Sequence, residues 1–260
     1  VSEFQLSPDG KRAAIVIRGD IFWIPLDRPA EARRLTETPT RERDIAWTPD
    51  GQGLIYSSNQ AGSYNLYRPD LATRESKSVT SGPQTDTSPE VSPDGQWIAF
   101  LRGPQTRLMV VKIDGSGERL VVPGPKVDEP KWWPDGKWIA YSREDEIRTN
   151  DIWVVAFAVA GKSSTPINVS AHPGFQNRPR WFADGSRLAF RSNRYRNRDI
   201  ETINHQGRYT LYTVALQKER EKFDEDEEPK RSEEKKPVEV KFDADEIERR
   251  AKQTVGLDEN

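Results

Sequence analysis

One phrase recurs five times along this 260-residue chain. It reads Phe4-Gln-Leu-Ser-Pro-Asp9-Gly, Trp47-Thr-Pro-Asp50-Gly, Val91-Ser-Pro-Asp94-Gly, Trp132-Trp-Pro-Asp135-Gly and Trp181-Phe-Ala-Asp184-Gly. The aspartates stand 41, 44, 41 and 49 residues apart. A period in the forties marks one four-stranded propeller blade per repeat. The expected fold is therefore all-β: a β-propeller of four-stranded antiparallel blades, with about five blades present and the ring incomplete.

Each copy has the same local logic. Proline at the second turn position fixes φ near −65°, aspartate bonds back to the local backbone, and glycine takes the left-handed geometry. Such a turn joins two antiparallel strands. The residues before it, such as Ile45 to Trp47 or Pro130 to Trp132, form a first strand. Arg12–Ile17, Leu54–Ser57, Trp97–Leu101, Trp138–Ser142 and Arg187–Arg191 follow as second strands, β-branched and aromatic as a strand between two blades should be. Third strands recur at Asp20–Ile24, Tyr64–Tyr67, Arg107–Val111, Asp151–Val155 and Tyr209–Tyr212. Short polar fourth strands close four copies, at 33–36, 77–80, 118–121 and 166–169. No fourth strand follows the fifth copy directly. Its second and third strands are separated by an Arg/Asn-rich insertion at 192–208, and beyond Leu216 the composition changes abruptly.

That change sets the expected domains: blades over 1–216, a charged linker over 217–237, and the start of a following domain, a second propeller, over 238–260. In the linker 16 of 21 residues are charged, a composition that cannot bury a core. Residues 217–260 hold 11 basic and 16 acidic residues. The whole chain has 40 basic and 42 acidic residues, so the repeats carry 29 against 26, or +3. A near-neutral propeller offers no field for nucleic acid. No run of about 18 apolar residues is present to span a membrane. The chain opens inside a strand without an initiating methionine, and is expected to begin partway through a gene, so upstream targeting is not legible.

The search for chemistry returns little. There is no cysteine, which removes disulfides, thiolate metal sites and a cysteine nucleophile. No Gly-x-Ser-x-Gly elbow and no phosphate-cradling glycine loop occurs. His172 and His205 lie apart in predicted loops, and no histidine–carboxylate spacing suits zinc. Asp9, Asp50, Asp94, Asp135 and Asp184 each offer one carboxylate where calcium needs six or more oxygens, and turn chemistry accounts for them. The eight tryptophans, mostly on predicted strands, read as core between blades. No catalytic residue, cofactor site or metal site is assigned. The arginine-rich stretch from Arg178 to Arg198 is the unusual composition. Arg194, Arg196 and Arg198 are its candidates for contacting a peptide carboxylate or another anion, since guanidinium forks suit such groups. The alternative is a solvated loop whose arginines pair with Asp184, Asp199 and Glu201. Asn168-Val-Ser170 matches a glycosylation sequon.

The blade formula Pro-x-Trp-x-Pro-Asp-Gly-Lys-x-Ile-Ala-Tyr-Ser, followed by Asp151-Ile-Trp-Val-Val155, resembles the TolB-like propeller repeat and lacks the Gly-His and Trp-Asp pair of WD repeats. Thr149 to Trp153, Pro166 to Gly174 and Asn177 to Trp181 resemble the propeller of tricorn-like serine proteases. The charged spacer leading into Pro237–Arg250 is similar to the joint between that family's first and second propellers, although Lys241 and Ala244 stand where aspartate and glycine are usual. The resemblance implies a non-catalytic propeller region that gates or guides peptides and supports assembly. Peptides, a protein partner, downstream domains of the same polypeptide and further copies in the full-length protein would be its partners. It implies the cytoplasm, with the periplasm as alternative. A TolB-like interaction module and the propeller lid of a prolyl-oligopeptidase relative are the other readings.

Overall fold

The computed structural model describes residues 1–104, 106–124, 126–145, 149–157, 165–172, 174–193, 209–216 and 247–253. They form five antiparallel four-stranded sheets, each with its strands in chain order. The first holds β1 (Glu3–Leu6), β2 (Arg12–Ile17), β3 (Asp20–Pro25) and β4 (Arg33–Arg34). The second holds β5 (Glu42–Trp47), β6 (Leu54–Ser58), β7 (Asn65–Pro69) and β8 (Ser76–Ser78). The third comprises β9 (Asp86–Val91), β10 (Trp97–Arg102), β11 (Arg107–Lys112) and β12 (Arg119–Val122). In the fourth are β13 (Val127–Trp132), β14 (Trp138–Glu144), β15 (Asn150–Ala156) and β16 (Ile167–Asn168). The fifth is built from β17 (Gln176–Trp181), β18 (Arg187–Ser192), β19 (Thr210–Ala215) and β20 (Ala251–Gln253).

First strands of successive sheets pack on one another, β1 on β5, β5 on β9, β9 on β13 and β13 on β17, whereas the fourth strands make no comparable contact with a neighbouring sheet. The first strands therefore lie innermost and the fourth outermost, as in a propeller. No comparable contact joins the fifth sheet to the first among the described residues, so the sheets form an open arc.

The turn chemistry is as expected from the residues. The turn glycines Gly10, Gly51, Gly95, Gly136 and Gly185 have φ between 65° and 72°. Each turn aspartate accepts the backbone N–H two residues on, at 3.0, 2.9, 3.0, 2.8 and 2.9 Å. Between the sheets lie four apolar clusters, one per interface. Trp47, Trp97, Trp132 and Trp133 are buried in them, and Trp23, Trp138, Trp153 and Trp181 pack against them. The tryptophans are interface core.

The fifth sheet corrects the expected ending. A fourth strand does exist, but it comes from far along the chain: Ala251, Lys252 and Gln253 pair with Val214, Thr213 and Tyr212. Ile247, four residues before that strand, is buried in the cluster between the fourth and fifth sheets. Residues 247–253, assigned from sequence to a following domain, thus complete the last blade. Elsewhere the fourth strand follows a short connection, and here more than thirty residues intervene, so proximity in sequence misled. The linker 217–237 and the remainder of 238–260 lie outside the described residues.

Tyr141 is fully buried between the third and fourth sheets, while Phe182 is 41 % exposed in a turn. Tyr141→Ala should cost about 3–5 kcal/mol by cavity formation, whereas Phe182→Ala should stay within about 0.5 kcal/mol. Urea denaturation of the two variants checks this.

Candidate functional site

The residues that face the axis come from the innermost strands, and these strands share an irregularity. In β5, Arg43 pairs with Ser57 and Ala46 with Ile55, so Asp44 and Ile45 together oppose Tyr56. In the same way Ser88 and Pro89 oppose Phe100, Glu129 and Pro130 oppose Tyr141, and Arg178 and Pro179 oppose Phe190. Two residues against one is a β-bulge, which bends the strand and frees backbone polar groups from the ladder. The first bulge residue is left-handed each time: φ is 52° at Asp44, 52° at Ser88, 51° at Glu129 and 55° at Arg178. All four opposing aromatics are at most 1 % exposed. In β1 the pairing from Glu3 to Leu6 is continuous, and the opposing residue is Ile15.

A bulge amide withdrawn from the ladder needs an acceptor. The preceding blade supplies it from the matching position. Glu3 accepts the N–H groups of Asp44 and Ile45 at 2.7 and 2.9 Å. Asp44 accepts from Ser88 N–H at 3.3 Å, and Glu129 from Arg178 N–H at 2.5 Å. Ser88 has no carboxylate to offer the fourth blade, and there Glu129 N–H turns to its own neighbour, Asp128 Oδ1, at 2.8 Å. Blade two, with Ile45 where the later blades have proline, has a second N–H to satisfy, and Glu3 takes both.

A second ladder runs beside the first. Trp47, Trp132 and Trp181 each donate Nε1–H to an inner-strand carbonyl of the preceding blade, on Gln5, Glu90 and Lys131, at 3.2, 2.9 and 3.0 Å. The third blade has Val91 at this position and makes no such bond. The Lys131 ammonium also bonds the Glu90 carboxylate across the interface.

The electrostatics follow from this wiring. Partial burial raises the Glu3 carboxyl above its usual range, against the opposing pull of the two amides. Asp9, Asp50 and Asp184 behave oppositely. A side-chain hydroxyl and a backbone N–H hold Asp9 and Asp50 below the ordinary value, and at Asp184 the Ser186 backbone N–H leads. Burial pushes the Tyr56 phenol up to about 12. The exposed charges of the inner strands are Arg43, stacked over Tyr64 at 4.0 Å, Asp128, Arg178 and Arg180. The row is acidic at Glu3, Asp44 and Glu129 and turns basic only on the fifth blade. Such a rim can meet the charged groups of an extended chain.

Arg194, Arg196 and Arg198 lie outside the described residues, as do His205, Asp199 and Glu201. Their loop leaves the fifth blade after Ser192 and returns at Thr210, which pair across β18 and β19. Among the flanking arginines, Arg178 pairs with Glu129 at 3.9 Å, Arg191 stacks over Tyr209 at 4.7 Å, and the Arg187 charge helps to lower the Asp184 carboxyl. His172 is part-buried, its backbone N–H on Asp151 Oδ1 at 3.4 Å. Asn168 of the sequon donates its amide to Asp151 at 2.8 Å and Ser170 is buried, so both ends of the motif serve the fourth blade. Sequence reasoning missed the bulge row. Its legible signal was proline inside a predicted inner strand, at 89, 130 and 179, since proline there marks a bulge or an edge.

Comparison with known proteins is consistent with this geometry. The profile of a family described as TolB beta propeller domain matches residues 3–167, more than half of the chain. The Tol-Pal system protein TolB of Francisella tularensis is 26% identical over 149 residues, covering 56% of this chain and 34% of that protein. Dipeptidyl aminopeptidase BIII of Pseudoxanthomonas mexicana is 35% identical over 88 residues, covering 31% of this chain and 13% of that protein. The chain spans about half or less of the length of the curated relatives it matches. The crystal structure of the tricorn protease superposes with a TM-score of 0.66 at 12% identity, covering 98% of this chain and 26% of that chain.

Two outcomes test the wiring. Glu3→Gln should destabilise the protein by about 1–3 kcal/mol, because an amide side chain has one acceptor oxygen for two buried N–H groups. Equality with wild type in urea denaturation contradicts the cap. Acidification should weaken the fold through Asp9, Asp50 and Asp184. Their folded pKa values lie below the unfolded one, so their contribution is complete above about pH 4 and falls as pH drops through the folded values. Glu3, raised, has the opposite sign and loses its contribution as pH rises through its folded value. Asp50→Asn should therefore flatten the acid limb of the urea midpoint against pH, and an unchanged limb counts against the turn assignment.

Proposed function

The chain belongs to the TolB beta propeller domain family, and on that premise we propose that it is the non-catalytic propeller region of a tricorn-like serine protease, gating or guiding peptides and supporting assembly. The observation that carries this reading is the extent of the superposition on the tricorn protease, 98% of the chain. The inner-strand rim supports it chemically. Four of its acids, Glu3, Asp44, Asp128 and Glu129, cap backbone amides and stiffen the wall, while Arg43, Asp128, Arg178 and Arg180 are exposed to a passing chain. In this reading Arg194, Arg196 and Arg198 add an anion-attracting loop to the basic fifth blade. Placement in the cytoplasm goes with it.

A second reading has its own support. The family description and the TolB relative support a propeller that holds a protein partner without peptidase activity, and the periplasm would go with that reading. Peptide hydrolysis by the full-length gene product separates the two. The first reading predicts turnover that a serine-directed inhibitor abolishes. It also predicts that replacing Arg194, Arg196 and Arg198 together by alanine slows acidic peptides more than neutral ones. Equal slowing discards the anion role. No hydrolysis, with a protein partner co-purifying in stoichiometric amount, favours the second reading.

A further inference from the structure

The residue that opens the inner strand carries a buried carboxylate in the second and third blades, Glu42 at 2% exposed and Asp86 at 0%. Register puts the two at the same place: Glu42 opposes Ser58 across β5 and β6, and Asp86 opposes Arg102 across β9 and β10. In the third blade that opposing residue supplies the counter-charge. Arg102 donates from Nε and Nη2 to the two oxygens of Asp86, at 2.7 and 2.8 Å. Blade two has a serine there. Glu42 is held by hydroxyls instead: Thr36 donates at 3.1 Å, Thr38 at 2.7 Å, Thr40 at 3.3 Å and Ser58 at 3.2 Å. No lysine, arginine or histidine among the described residues pairs with it. Carboxylates at this depth are matched by a cationic side chain or a metal ion, since neutral donors do not cancel the charge.

A second observation marks the same corner. Asn65 opposes Ser58 across β6 and β7, and directly opposed residues share a sheet face, so Glu42, Ser58 and Asn65 stand in a row. Asn65 is 1% exposed, and its Oδ1 has no donor among the described residues. Its Nδ2 is committed to the carbonyls of Ser63 and Gly82, at 3.1 and 3.4 Å, which fixes the amide this way round. An unused acceptor beside an uncompensated carboxylate calls for the same thing, a positive charge.

We propose that this corner, where the crossover at 36–40 meets β5, binds a monovalent alkali cation, sodium or potassium, in the role that the Arg102 guanidinium plays one blade on. The donor set decides the class. Its atoms are all oxygens, which suits a hard cation and offers no nitrogen or sulfur to zinc or copper. One carboxylate balances one positive charge, whereas calcium affinity is built by adding carboxylates. On binding, the hydroxyls of Thr38, Thr40 and Ser58 turn their protons outward and present lone pairs to the ion. The cation thereby pins the crossover to the inner strand of blade two, at the same joint that the Glu3 carboxylate bonds.

Thermal unfolding of the 260-residue chain in chloride salts of equal ionic strength tests this, with choline as a cation too large for the corner. Sodium or potassium at about ten times its Kd should raise Tm over choline by about 3–6 °C, and the rise should grow with concentration. Glu42→Gln, which keeps the shape and removes the charge, should unfold at one Tm in all three salts. Ser58→Arg, which rebuilds the ion pair of blade three, should do the same and serves if Glu42→Gln does not fold. Equal Tm for the wild-type chain in all three salts would overturn the proposal, and that comparison requires no variant. So would a rise that persists in Glu42→Gln, which puts the ion elsewhere, or a rise given by calcium chloride alone.

Discussion

Four left-handed bulges in the innermost strands, each freeing an amide that must find an acceptor, are the constraint on which the rest of the arc depends. A buried N–H without a partner costs about 1–3 kcal/mol, whereas an exposed ion pair contributes about 0–1 kcal/mol. The carboxylates at Glu3, Asp44 and Glu129 therefore matter chiefly as backbone caps and only secondarily as charges. Capping also makes the blades unequal. A blade with a bulge depends on the blade before it, and where Ser88 breaks the chain of carboxylates, Asp128 restores the bond from within its own strand. The large aromatics opposite the bulges complete the unit: the bend in the inner strand is filled by Tyr56, Phe100, Tyr141 and Phe190.

This arrangement divides the polar residues into two groups with different consequences. The turn aspartates each accept a backbone N–H two residues on, so they set local geometry. Glu3, Asp44, Glu90 and Glu129 bond across interfaces, so they hold neighbouring blades in register along the axis. What remains exposed on the inner strands is a short list of charges, acidic at Asp128 and basic at Arg43, Arg178 and Arg180. A rim of that kind suits the scaffold role proposed for the chain.

Much of the fold was legible because the repeat is written in turn chemistry. Proline, aspartate and glycine report a turn wherever they fall in that order, and β-branched runs on either side locate the strands to within a residue or two. The inter-blade place of the tryptophans was legible as well, though their indole hydrogen bonds were not, because the acceptor is a backbone carbonyl that carries no residue signature. The outer strand of the fifth blade was missed for a different reason. Three residues, Ala251 to Gln253, carry too little pattern to be recognised across a long charged stretch, and only the buried Ile247 betrays that they belong to the propeller. The bulges had a signal in the inner-strand prolines, but blade two uses Ile45 instead, and the compensating Glu3 lies 42 residues away.

The central claim is that the bulge amides of the second, third and fifth blades are each held by one named carboxylate on the blade before, and that of the fourth by Asp128 of its own strand. Residue-resolved amide hydrogen exchange on Glu129→Ala, which removes the acceptor, tests this most directly. The account predicts that protection falls at the Arg178 amide and is unchanged at Asp44 and Ile45, which Glu3 holds. Protection lost equally at all three amides, or retained at Arg178, would contradict it.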